Sequence, residues 1–116
     1  YWSPGSGAHE VHGAIRERWA SMGGESGLLG FPVSDERAAS GGRLNVFQGG
    51  SVYWSPASGA HEVHGAIRDR WASMGSETGF LGYPVSEEFG VLGGRQSNFQ
   101  RGALFWSAAT GAVSLR

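Results

Sequence analysis

Residues 53–75 read YWSPASGAHEVHGAIRDRWASMG, and residues 1–23 read YWSPGSGAHEVHGAIRERWASMG. The two stretches differ only where Gly5 stands for Ala57 and Glu17 for Asp69. The match extends outward: residues 1–52 lie on 53–104 without a gap, most paired positions are identical, and Phe105-Trp106-Ser107 opens the motif a third time. A period of this length marks a tandem array, in which one unit buries too little to stand alone and neighbours share a core. The sequence therefore predicts a single repeat domain over 1–116, with repeat 1 at 1–52, repeat 2 at 53–104 and a partial repeat 3 at 105–116. Because the chain enters and leaves inside the motif, the structural unit is expected to be offset from the alignment unit. Residues 105–116 then supply the strands that close the set.

Within a unit, Arg43 to Gln48 and Ser51 to Ser55 read as two short strands around the Gly49-Gly50 hairpin turn. Pro56-Ala57-Ser58-Gly59 makes a second turn, and Ala60 to His64 returns as a third strand. The period then changes. Ile15, Trp19 and Met22 are spaced four and three apart, which sets them on one helical face and leaves Arg16, Glu17 and Arg18 largely on the other. Gly13 can start that helix and Gly23 stop it, and Ile67, Trp71 and Met74 repeat the arrangement. Leu28-Leu29-Gly30-Phe31-Pro32 reads as a tight turn carrying apolar anchors back onto the sheet. The expected fold is α+β: tandem repeats of a small antiparallel β-meander plus a short helix, packed in a pseudo-symmetric ring-like or propeller-like array.

Composition narrows the function classes. Net charge is −1, and all nine basic residues are scattered arginines, so the clustered positive footprint of nucleic-acid binding is missing. No apolar run reaches the roughly 20 residues that a bilayer span needs, so membrane insertion is not expected, and any export signal is expected outside these residues. The absence of cysteine removes disulfides, thiolate metal sites and a Cys nucleophile together.

His9-Glu10-Val11-His12 and His61-Glu62-Val63-His64 gather all four histidines. Their spacing of three is not the spacing of four that places two zinc ligands on one helix face, and a third ligand is lacking. No metal and no cofactor is expected, and a structural or sugar-contacting role is. Trp2, Trp54 and Trp106 each follow an aromatic residue on a strand, so one ring of each pair faces the core and the other can stack on a sugar. Trp19 and Trp71 belong to the helix's apolar stripe and to the core. Gln48 and Gln100, beside the hairpin turn, either accept sugar hydroxyls or satisfy turn backbone. The candidate ligand-binding set is therefore Trp2, His9, His12, Gln48, Tyr53, Trp54, His61, His64, Gln100 and Trp106. Catalysis is not expected: no serine sits in a Gly-x-Ser-x-Gly elbow, and the adjacent carboxylates Asp35-Glu36 and Glu87-Glu88 do not suit a glycosidase pair, which faces across a cleft about 5–10 Å wide.

Leu29-Gly30-Phe31-Pro32 and Leu81-Gly82-Tyr83-Pro84, together with the Trp-Ser-x-x-x-Gly-Ala-His-Glu-Val-His-Gly run and the Phe-Gln-x-Gly-x-x-x-x-Trp-Ser hairpin, resemble the LGFP-repeat family of actinobacterial cell-envelope proteins. The resemblance covers the whole chain, with residues 105–116 departing from the pattern because Val113-Ser114-Leu115-Arg116 replaces the His-Glu-Val-His segment. It implies a secreted, non-catalytic module, standing alone or attached to enzymes such as mycoloyltransferases and peptidoglycan hydrolases. Such a module would hold its protein to wall polysaccharide, the arabinogalactan and peptidoglycan layer. Near-identical repeats suit multivalent binding of a repeating polymer. The alternative is a self-assembly module whose repeats pair between chains to close a ring, with a homo-oligomer or a covalently linked catalytic domain as partner.

Overall fold

A computed structural model describes residues 13–116, together with the backbone of the two-residue strands β1 (Trp2–Ser3) and β2 (Gly7–Ala8), which pair antiparallel. Helix α1 (Gly13–Ser21) follows, then strands β3 (Arg37–Ala39), β4 (Gly42–Phe47), β5 (Gly50–Ser55) and β6 (Gly59–Val63). The pattern repeats as α2 (Gly65–Ser73), β7 (Phe89–Val91), β8 (Gly94–Phe99), β9 (Gly102–Ser107) and β10 (Val113–Leu115). The structural unit is thus a helix, the Gly-Pro turn and a four-stranded antiparallel meander, offset from the alignment unit as the sequence predicts. The hairpin around Gly49-Gly50, the strand after Gly59 and both helices lie where their patterns place them. Strands β3 and β7 are additional. Arg37 and Ala38 are exposed, so this edge strand carries no buried alternation that could announce it.

The expected ring-like or propeller-like closure is not what forms. Strands pair only within their own sheet, in the orders β3-β4-β5-β6 and β10-β9-β8-β7, so the described residues make two open four-stranded sheets besides the short β1-β2 pair. The physical reason lies in which faces are apolar. One face of the first sheet packs on α1, burying Ile15, Trp19, Leu29, Phe47 and Val52 in a first core. The other face packs on the second unit: Leu44, Tyr53 and Val63 join Ile67, Trp71, Leu81, Tyr83, Phe99 and Leu104 in a second core. Units therefore stack sheet against helix, in a line. Strand β5 is buried on both sides, with Val52 on the α1 side and Tyr53 against Trp71, edge to face at 4.7 Å.

The Gly-Pro turn is the clasp of each unit. Gly30 and Gly82 hold φ of 71° and 76°, a left-handed conformation that glycine adopts without strain. The indole Nε1 of Trp19 donates to the Gly30 carbonyl at 2.8 Å, and Trp71 does the same to Gly82 at 3.0 Å. On the far side the turn runs beside the hairpin, with Gln48 N donating to Phe31 O, Gly49 N to Leu29 O and Val33 N to Val46 O. Helix, turn and sheet are thereby tied through one short segment, and Leu29 and Leu81 are fully buried beneath it.

Candidate functional site

Directly opposed residues on neighbouring strands share a face of the sheet. Arg43 stands opposite Trp54 on β4 and β5, and Arg95 opposite Trp106 on β8 and β9, so each unit presents an arginine beside a half-buried tryptophan. The Nε of Arg43 donates to Glu36 at 2.9 Å, and that of Arg95 to Glu88 at 3.0 Å. The start of the helix forms the opposite wall. The result is the same groove twice: Gly13, Ala14, Ile15, Glu36, Arg43 and Trp54 line one of about 200 Å³. Gly65, Ala66, Ile67, Glu88, Arg95 and Trp106, with His64, line its counterpart of about 370 Å³. In both, a tryptophan and an ion-paired carboxylate line the same open trough.

Of the sequence-derived set, the structure brings Trp54, Trp106 and His64 to these grooves. Tyr53 goes elsewhere: it is 9% exposed, in the core between the units, and burial raises its phenol pKa above the ordinary value. Gln48 and Gln100 satisfy backbone, their Oε1 atoms accepting from Phe31 N at 3.1 Å and Tyr83 N at 3.0 Å. Trp2, His9 and His12 lie outside the residues whose side chains are described.

His61 and His64 belong to a junction between units. The Nδ1 of His61 faces the Glu87 carboxylate at 3.0 Å, and its Nε2 lies 2.9 Å from Ser58 O. Glu87 also takes Arg18 Nη1 at 3.2 Å and the Glu62 amide at 3.1 Å. Glu62 is buried; it accepts from the Glu88 amide at 3.1 Å and pairs with His64 Nδ1 at 2.6 Å. The Nε2 of His64 lies 3.5 Å from Glu88. The hydrogen bond to Glu62 holds the His64 pKa above the usual value, helped by the charges of Glu62 and Glu88 against the opposing effect of burial. The His-Glu-Val-His segment of one unit thus grips the paired carboxylates of the next. His64 and Glu88 belong both to this junction and to the groove.

Arg43 and Arg95 are the groove residues that motif reading passes over, and Glu36 and Glu88 are ones it weighs only as catalytic carboxylates. A signal was present: residues 37–40 and 44–46 all change in the second copy, whereas Glu36 and Arg43 return unchanged as Glu88 and Arg95. Among the described residues no group of three or more potential metal ligands converges. None of their helices is long and apolar enough to cross a membrane.

Compared with known families, the chain matches the LGFP repeat model at residues 1–27, 29–79 and 81–116. No curated protein matches it.

Proposed function

From the premise that this chain belongs to the LGFP repeat family, whose repeats are in general cell-wall associated, we infer a non-catalytic module that binds wall polysaccharide through its two grooves. The observation that carries the reading is the duplicated Trp-Arg-Glu trough, built from equivalent residues in both units. A half-buried indole offers a flat apolar surface for a sugar ring, while the Arg-Glu fork beside it donates to and accepts from hydroxyls. The charges favour an uncharged glycan. Among the described groove residues each cationic group already faces a carboxylate, Arg43 on Glu36, Arg95 on Glu88, and His64 on Glu62 and Glu88. A phosphate or uronate would have to displace one of these pairs, whereas a neutral ring displaces none.

Two like sites on one body suit a polymer whose own units recur. Tethering the second site to the first can raise overall affinity about a hundredfold or more, provided the polymer spans both. The reading accordingly places the protein outside the cell, held to the wall, and gives the paired carboxylates a structural task in place of acid–base chemistry. The test is retention on purified wall polysaccharide. Trp54→Ala and Trp106→Ala are each expected to weaken it severalfold and the double variant to abolish it, with circular dichroism unchanged. Full retention by the folded double variant would refute the assignment.

A further inference from the structure

The two units differ most on the face that each sheet turns away from its own helix. On the first sheet that face holds Leu44, Val46 and Tyr53, and the second unit packs against it. The equivalent positions of the second sheet are Gln96, Asn98 and Phe105. Gln96 Nε2 donates to Asn98 Oδ1 at 2.9 Å, Arg116 Nη1 donates to Gln96 Oε1 at 3.2 Å, and the Arg116 guanidinium lies 3.9 Å from the centre of the Phe105 ring. A hydrogen-bonded polar network with a cation over the ring thus covers what is an apolar docking face one unit earlier.

The junction is altered in the same place. Where His61-Glu62-Val63-His64 grips Glu87 and Glu88 of the next unit, the second unit carries Val113-Ser114-Leu115-Arg116. It has no histidine or glutamate there to engage a following pair of carboxylates. The last strand is also set one residue out of step: the fully buried Val63 stands opposite Ser51, whereas Arg116 stands opposite the equivalent Ala103, and Leu115, opposite Leu104, is 52% exposed. Ser40, whose carbonyl accepts from the Tyr83 hydroxyl at 2.7 Å, has Leu92 as its equivalent, 99% exposed. Apolar face, ion-pair grip and turn contact are all rewritten together.

We propose that the second unit is a terminal cap: its outer sheet face, closed by Gln96, Asn98 and Arg116, accepts no further unit of this kind, and the Leu-Val-Tyr face with its His-Glu-Val-His segment is the code that admits one. The array consequently has a direction, each unit receiving the helix and turn of the unit after it. Terminal units of repeat arrays are atypical at the positions where internal units dock. End-to-end closure of copies through this face, as a ring would require, is disfavoured by the same residues.

The test extends the full chain by a second copy of residues 65–116 placed directly after Arg116, which keeps the period of the sequence repeat. In the native extension the added unit is expected to melt in its own earlier transition and to exchange its amides quickly. A second extension carries Gln96→Leu, Asn98→Val, Val113→His, Ser114→Glu, Leu115→Val and Arg116→His at the junction. There the added unit is expected to join the main transition, with amide exchange in its helix slowed about a hundredfold. Exchange in α1 and β4 reports whether the original units remain folded. Equal protection of the added unit in both extensions overturns the cap. Protection in neither, with the original units intact, overturns the code.

Discussion

Gly82 and His64 each carry a load larger than their size suggests. At Gly82 the backbone is left-handed, and an added Cβ would come within 2.6 Å of the Gln100 Oε1 that receives the Tyr83 amide. Gly82→Ala is therefore expected to cost at least about 1–2 kcal/mol for the conformation alone, read as a lower midpoint in urea. An unchanged midpoint would show that the turn tolerates a side chain. His64 couples stability to pH. Its pKa is raised in the folded protein, first by the hydrogen bond to Glu62, so the folded state binds its proton more tightly than the unfolded chain does. That contribution is complete below pH 6.5 and is lost as pH rises through the elevated value. The thermal midpoint should accordingly fall from pH 6.5 upward, and His64→Gln should flatten that limb. A variant with the wild-type slope would assign the effect to another group.

Among the elements, the helix and the turn are one mechanical part. Trp71 is 1% exposed, stacks on Phe99 at 5.5 Å, meets Tyr53 edge to face and holds the Gly82 carbonyl. Trp71→Ala removes packing from both units at once and is expected to destabilise by about 3–5 kcal/mol, measured by denaturant unfolding. A loss below 1 kcal/mol would mean the shared core repacks around the gap. This level of the structure was largely legible in the sequence, because Ile67-Trp71 spacing, the Gly-Gly hairpin and the Gly-Pro turn are local patterns enforced by backbone geometry. Legibility failed where the cause is tertiary. Strand β3 is built from Arg37-Ala38-Ala39, which has no buried face to advertise it, and its partner β4 alone recruits it. The groove fared likewise. Trp54 and Trp106 could be singled out as aromatic, but their pairing with Arg43 and Arg95 depends on strand register. Tyr53, next along the strand from Trp54, lies in the core because a second unit packs over its face, a fact no single repeat encodes.

At the scale of the whole molecule, one operation explains both the stability and the surface. Stacking the second helix on the first sheet buries the shared core, locks His61, Glu62 and His64 onto Glu87 and Glu88, and leaves each unit's trough open on the outside. The repeat therefore multiplies a surface without needing a new core. The direct test of that surface is to titrate the full chain with a short, neutral wall-derived oligosaccharide while following its indole N–H resonances by NMR. The account predicts that Trp54 and Trp106 shift together along saturating isotherms, while the buried Trp19 and Trp71 hold still. Saturation with no shift at either groove tryptophan, or no saturable change up to millimolar sugar, would contradict it.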